Sequence, residues 1–316
     1  MKRIFRYILL MAVFACLHIS CERRPLTTAD NMVTVHLNIE EDIVNYEMPH
    51  APSLMRCVFF DSHTGSFVTQ AFLPAEGGRV SLPPAKEYDV LVYNFDTEST
   101  WIENENDIHG IYASTSVIPD VFRTKLRNRA ASSEEEKIVY EPDHLFVGRL
   151  NDVFIPARSV NAEPIVLEID CETVVESWIL EVRTITGVEY IGSMAGVITG
   201  LSESNKITAN KRSANHVSVY FDNQVIDGNG VLTARFNTFG WNPDNGTRQV
   251  VSLVFTDISG KGYIFHIDVS NQFVNNKEQI IRINAEIDIP LPSTSDDGGF
   301  VPSVDDWDDI NTDIII

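Results

Sequence analysis

Basic residues are scarce in this chain. Lys and Arg total 24 against 45 Asp and Glu, for a formal net charge of −21 over 316 residues. That balance speaks against nucleic-acid binding, which rests on basic patches. It speaks equally against flat adsorption to an anionic lipid surface. Cysteine is scarcer still, with four in all: Cys16, Cys21, Cys57 and Cys171. The two internal cysteines cannot build a structural zinc site, and no His pair stands at ligand spacing near them. They form either a disulfide, in an oxidising compartment, or two buried thiols. Their separation assigns them to different halves of the chain. No apolar run approaches the ~20 residues a membrane-spanning helix needs, and long amphipathic helices are absent. The eight histidines are scattered. His-Glu-x-x-His, Gly-x-Ser-x-Gly and phosphate-cradling glycine loops do not occur. We therefore expect no catalytic residue, no metal and no cofactor, and a protein that is not an enzyme.

What is present begins with the first residues. Lys2, Arg3 and Arg6 precede an apolar run from Tyr7 to Ile19, and then come Ser20 and Cys21. A basic head, a short apolar core and a small residue before cysteine describe a bacterial lipoprotein signal. Residues 1–20 are its leader, and Cys21 is the acylated N-terminus of the mature protein. Cys16, preceded by Val13-Phe14-Ala15, is a rival acylation site, and ordinary cleavage without lipid is a third outcome. Each buried CH₂ of an acyl chain such as palmitate contributes ~0.8 kcal/mol, and two or three chains hold a protein on the membrane. Losing the three basic residues of the leader takes the formal charge to about −24, a solvated surface in physical terms.

Residues 21–31 read as a polar tether. Beyond them, Val33, Val35, Leu37 and Ile39 alternate with Thr34, His36 and Asn38, which marks a strand with one buried face. His36 falls on the exposed face. Arg56–Asp61 and Ser66–Leu73 flank Ser62-His63-Thr64-Gly65, a hairpin loop. Tyr88–Phe95 is rich in Val, Leu, Tyr and Phe and reads as a central strand. The polar, acidic stretch Asp96–Gly110 follows, with Trp101 inside it. Val121–Arg129 is a strand or a short helix. Leu145–Leu150 and Val153–Ile155 complete a first β-sandwich, 32–156.

Pro156–Pro164 is read as a boundary, and a second sandwich occupies 157–290. Its strands are Ile165–Asp170, Ser177–Ile185, Val217–Phe221, Val231–Phe239, Gln249–Thr256, Gly262–Val269 and Gln279–Ile289. Trp178, Leu180 and Val182 share one face, as do Ile281, Ile283, Ala285, Ile287 and Ile289. Ile191–Leu201 carries Gly192, Gly196 and Gly200, and is a buried strand or tight turn. Trp241 lies in a polar loop. Many short alternating strands with Gly, Asn, Asp and Pro between them describe an all-β chain of antiparallel sandwiches.

Residues 291–316 form an acidic linker and a last strand. Val304 and Trp307 lead into Ile310, Thr312, Ile314 and Ile316, which share one strand face. A free apolar strand is a liability until it pairs. It either closes its own domain or adds to another subunit's sheet, where backbone bonds give affinity and alternate side chains fill a groove. The aspartates between Asp296 and Asp313 lack EF-hand spacing and read as a solvated tail. Trp101 and Trp241 are candidate sugar-stacking residues, because an indole in a polar loop can cover a sugar face. That keeps open a glycan-binding surface lipoprotein of a polysaccharide-utilisation system.

The chain resembles the fimbrillin and fimbrial-anchor lipoproteins of Bacteroidales, the type V fimbria superfamily. The resemblance rests on Cys21-Glu22-Arg23-Arg24-Pro25-Leu26, Tyr88-Asp89-Val90-Leu91-Val92-Tyr93-Asn94, Phe236-Asn237-Thr238-Phe239-Gly240, Phe265-His266-Ile267-Asp268-Val269-Ser270 and Val304-Asp305-Asp306-Trp307. It implies two tandem transthyretin-like β-sandwich domains with an extended C-terminal strand. It also implies attachment to the cell outer membrane through a lipid at Cys21, with the protein surface-exposed. The implied role is that of an anchor, accessory or tip subunit in adhesion or fimbria assembly. Its partners would be other fimbrial subunits and a host or bacterial receptor or glycan, with Val304–Ile316 as donor or closing strand. Polymerising members are freed by cleavage after arginine; Arg123, Arg127 and Arg129 are candidates here, and none stands out.

Overall fold

Alternation sets the first strand as the sequence requires: Val33, Val35 and Leu37 are buried while Met32, Thr34, His36 and Asn38 are exposed or half-buried. The structure is a computed structural model, and it describes residues 31–46, 52–119, 136–157, 163–222, 224–292 and 308–309. In chain order the strands begin with β1 (Asn31–Ile39), β2 (Met55–Asp61), β3 (Phe67–Leu73), β4 (Gly77–Leu82), β5 (Lys86–Asn94), β6 (Thr100–Glu103) and β7 (Tyr112–Thr115). They continue with β8 (Lys137–Tyr140), β9 (Phe146–Ile155), β10 (Ile165–Thr173), β11 (Glu176–Thr186), β12 (Ile191–Ser202), β13 (Ser204–Lys206) and β14 (Lys211–Arg212). The last are β15 (His216–Phe221), β16 (Gln224–Ile226), β17 (Leu232–Thr238), β18 (Val250–Asp257), β19 (Gly262–Asp268), β20 (Ile280–Asp288) and β21 (Asp308–Asp309). The helical elements are short 3₁₀ turns at Val188–Tyr190, Pro243–Asn245 and Ser270–Gln272.

These strands form an all-β sandwich architecture. One sheet has the order β3-β2-β5-β9-β10-β1-β4, and its inner face buries Val35, Phe59, Tyr88, Val92 and Ile169. Two further sheets, β16-β17-β11-β20 and β21-β19-β18-β12-β15-β8, face each other over Trp178, Leu180, Phe236, Phe255 and Ile283. Full burial of each such side chain contributes roughly 1.5–3 kcal/mol. The expected apolar face of β20 is intact, with Ile281, Ile283, Ala285, Ile287 and Ile289 all buried. A fourth sheet, β14-β13-β7-β6, lies over a separate core. That core joins Tyr93 and Val58 of the first sheet to Val175, Ile207 and Phe239 from the later chain.

Several strands cross the division suggested by Pro156–Pro164. β10 lies in the first sheet, parallel to β1 from Val33↔Ile165 to Ile39↔Cys171 and antiparallel to β9. β8 runs parallel to β15 in the six-stranded sheet, and β7 pairs with β13. Cys57 and Cys171 accordingly share one core, which corrects their assignment to different halves. They stand in one row across the sheet, through Cys57↔Val92, Val92↔Gly148 and Gly148↔Cys171. At about 4.8 Å per strand, three steps exceed the ~7 Å limit for a disulfide. Both are free, buried thiols. Burial pushes the Cys171 thiol up to about 12 and raises that of Cys57 as well.

The stretch Asp96–Gly110 is also more ordered than its composition suggests, because it contains β6, paired with β7. The glycine-spaced segment forms the buried strand β12. A Cβ on Gly196 would lie 2.2 Å from the Phe221 ring, so only glycine admits that ring. The Val121–Arg129 segment lies outside the described residues.

Gly148 occupies the middle of the Cys57–Cys171 row, where an added Cβ would meet Ile169 Cγ2 at 2.5 Å and Cys171 Sγ at 2.7 Å. Gly148→Val is expected to lower the unfolding free energy read from urea denaturation by about 2 kcal/mol or more, by overpacking, with a lower midpoint. Gly228→Ala, with nothing within 4 Å, should leave the midpoint nearly unchanged.

Candidate functional site

The chain passes between the first sheet and the later sheets at two places that lie side by side. Glu141–Leu145 leads from β8 into β9, and Val174–Val175 leads from β10 into β11. Val174 N donates to Leu145 O at 2.9 Å. Around that bond the side chains form a connected polar network. His144 is 6% exposed, with Nδ1 3.0 Å from Thr173 Oγ1 and Nε2 2.7 Å from Ser177 Oγ. Ser177 Oγ donates to Asn237 Oδ1 at 2.7 Å. Asn237 in turn donates its backbone N–H to Glu141 Oε2 at 2.9 Å and its side-chain amide to Pro142 O at 3.2 Å. The Tyr46 ring covers His144 at 3.7 Å between centroids.

Asp143 turns away from this network. Its Oδ2 accepts the successive backbone N–H groups of Glu98, Ser99 and Thr100 at 3.0, 2.6 and 2.9 Å. Three donors converging on one oxygen hold the start of β6 in place, as an N-terminal cap holds a helix. Asn94 completes the junction: its Oδ1 accepts Phe146 N at 2.8 Å and its Nδ2 donates to His144 O at 3.1 Å.

Two clefts flank Tyr46. One, of about 530 Å³, is bordered by Ser53, Asn94, Asp96, Thr97 and His144. The other, of about 410 Å³, is bordered by Ser99, Glu141, Ser177, Arg235 and Asn237. A serine 2.7 Å from a histidine resembles a nucleophile beside its base. The proton directions here oppose that use. The Ser177 hydroxyl proton points to Asn237, so Ser177 accepts from His144 Nε2–H. Burial, opposed by the charge of Asp143, lowers the His144 pKa to about 4, which leaves it a weak base at neutral pH. Burial raises Glu141 to about 7, against the Asn237 N–H and with help from Asp222 and Asp143. The network orders the backbone. Among the described residues, no group of three or more His, Cys, Asp or Glu side chains gathers to hold a metal.

The second candidate feature is a sheet edge. Asp308–Asp309 pair in parallel with Tyr263–Ile264, at the start of β19. The flanking candidates Val304, Trp307, Ile310, Thr312, Ile314 and Ile316 lie outside the described residues, as does Cys21. Trp101 stands on β6 rather than in a loop, because Asp143 organises that backbone. It is 59% exposed, and its Nε1 donates to Ser116 Oγ at 2.6 Å. Trp241 is half-buried, edge-on to Phe273 at 6.4 Å. Neither indole borders the two clefts beside Tyr46. The sequence reading passed over Glu141 to His144. The detectable signal was indirect: Asn94 and Asn237 both belong to the short motifs that carry the family resemblance, and both end at this junction.

The two titrating groups act in opposite directions on stability. His144 in the folded state binds fewer protons than in the unfolded chain, so its contribution is lost as pH falls from about 6.5 to about 4. Glu141 in the folded state binds more, so its contribution is lost as pH rises from about 4.5 to about 7. Glu141→Gln keeps an acceptor for Asn237 N and removes the charge. Urea unfolding should show the variant more stable than the parent at pH 8, by roughly 2 kcal/mol, and nearly equal at pH 5. Equal differences at both pH values would remove Glu141 as the source.

Comparison with known proteins places the chain, rather than any one of these features, among relatives. A Bacteroides ovatus protein named as a fimbrium anchoring subunit, Fim4B, is 27% identical over 219 residues, covering 69% of this chain and 60% of the relative. The match thus spans less than two thirds of that relative's length. A crystal structure of a protein described as an adhesin, also from B. ovatus, superposes with a TM-score of 0.62 at 24% identity, covering 87% of this chain and 99% of that one. It shows the fold to be shared. The fimbrial anchor protein Mfa2 of Porphyromonas gingivalis lies further off, with a TM-score of 0.49 at 12% identity, covering 80% of this chain and 90% of that one. Residues 20–222 match the family described as a domain of unknown function, DUF5119, and the chain belongs to that family.

Proposed function

We propose that this chain is a lipid-anchored fimbrial subunit, of anchor or accessory and tip type, that acts without catalysis in adhesion or fimbria assembly through β-strand complementation. The observation that carries the reading is the C-terminal segment: Asp308–Asp309 add as a strand to the end of a sheet formed by β19. A segment that adds to a sheet by backbone bonds is the physical requirement of strand complementation. The homologous Fim4B, by its name, serves in fimbrium anchoring, and that supports a fimbrial or adhesive role at the cell surface for this chain too. Among the described residues no helix is long and apolar enough to cross a membrane. In this reading the lipid at Cys21 attaches the chain to the outer membrane, and the other fimbrial subunits are its protein partners.

Trp101 favours a second reading. An indole 59% exposed on a strand, with its N–H already fixed by Ser116, is a flat apolar platform of the kind that stacks on sugar rings. In that reading the protein captures a glycan at the surface.

Deletion of Val304–Ile316 should abolish co-purification with partner subunits from fimbriated cells while leaving the remaining chain folded. Retention of partners by the truncated chain would sink strand complementation. Cys21→Ala should move the protein from the membrane fraction to the soluble fraction. If it stays bound through Cys16, the acylated residue is the earlier cysteine. A glycan array on which binding is lost with Trp101→Ala would favour sugar capture.

A further inference from the structure

The first strand, β1, and the last long strand, β20, share an unusual arrangement. β1 lies between β10 and β4, parallel to β10 and antiparallel to β4. β20 lies beside β11, and that pair is parallel as well, from Ile179↔Ile280 to Thr186↔Asp288. Most strand pairs among the described residues are antiparallel, so the parallel pairing of β1 and of β20 sets how tension would cross the molecule.

Consider a pull applied between the tether before Asn31 and the segment after Asp288. In the first sheet, force enters β1 at its N-terminal end, and β10 passes it on from its C-terminal end at Thr173. In a parallel pair those two points lie at opposite ends of the ladder. The strands are therefore drawn along each other, and every bond from Val33↔Ile165 to Ile39↔Cys171 is strained together. β4 resists in the same way from the other flank, from Asn31↔Leu82 to His36↔Gly77. The same geometry recurs one step on: force enters β11 at Glu176 and leaves β20 at Asp288, again opposite ends of a parallel ladder. Bonds strained together resist rupture far better than bonds opened one at a time, although each contributes only about 1 kcal/mol net.

Between the two ladders the tension crosses at Thr173–Glu176. There the chain is bound to the neighbouring crossover by the Val174–Leu145 bond and by His144 bridging Thr173 and Ser177. The ladders differ in two respects. β1 is held on both flanks, whereas β20 ends its sheet and its ladder shifts register between Arg183 and Ile185.

We propose that the chain is a tension-bearing link, built from two parallel-strand clamps in series, with the stronger clamp on the tether side. The idea rests on the tethered-subunit reading for its biological use, but its mechanical content belongs to this chain alone. Single-molecule force spectroscopy on the chain from Glu22 to Ile316 tests it, first with handles at the two ends. A second geometry keeps the N-terminal handle and places the other at Glu163→Cys, an exposed position just before β10. That pull opens the β1–β10 ladder from one end, with every contact unchanged. The end-to-end pull should give a higher peak force than the Glu163 pull at the same speed. Once the two-residue β21–β19 pairing has let go, the next released length should correspond to Glu176–Asp288, at roughly 3.5 Å per residue. Equal peaks in the two geometries would overturn the clamp, and first release of the β1 region would overturn the ranking. Neither outcome bears on whether the protein assembles with fimbrial subunits, which the deletion of Val304–Ile316 decides separately.

Discussion

The structure depends on one desolvated junction. The chain enters the first sheet at β9 and leaves it after β10, so the incoming and outgoing crossovers run side by side through the interior. Their backbone groups need partners there, because a buried donor or acceptor left unpaired costs about 1–3 kcal/mol. Leu145 O and Val174 N satisfy each other, and His144, Ser177, Thr173 and Asn237 satisfy the rest. The sheets on either side can take only the relative placement that keeps this network closed. The apolar core beneath it, with Leu145, Val174, Val175 and Phe239, gives the same placement a hydrophobic reason.

Buried charge follows the same logic. Arg56 is 7% exposed, yet its Nε donates to Gln70 at 2.8 Å, a second nitrogen pairs with Glu105, and the rings of Phe72, Tyr93 and Phe95 surround the guanidinium within 6.0 Å. Glu136 is equally buried and accepts from Gly200 N and Ser218 Oγ. Each joins segments distant in sequence: Arg56 ties β2 to the turn before β7, and Glu136 ties the start of β8 to β12 and β15. Most of the other acidic side chains among the described residues are exposed or half-buried, where a large net charge favours solubility and says little about fold.

Strand identity was legible because alternation is a local signal. Val33 to Ile39, Trp178 to Val182 and Ile281 to Ile289 announce their buried faces within a few residues. Pairing was not legible, because it is decided by partners more than a hundred residues away. Nothing in Ile165–Cys171 itself says that it joins β1 rather than the strands that follow it. For the same reason Cys57 and Cys171 looked remote from each other. β6 was obscured by its polar composition, since the Asp143 carboxylate supplies order that β-propensity does not. The junction residues were the least visible of all. Asn94 and Asn237 draw attention only through short motifs, and a His between Asp and Leu has no pattern until Ser177 is brought beside it.

The pairing of β1 also governs when the protein can fold. Val33 meets Ile165, so the first strand to be made waits for one that emerges more than a hundred residues later. Long-range parallel pairing of this kind is slow, since the entropy of loop closure is spent before the contacts form. β4 can join one flank of β1 early, but the other flank stays open until β10 has appeared. A topology that leaves one flank of its first strand unpaired for so long completes its first sheet only after more than half of the chain has been made.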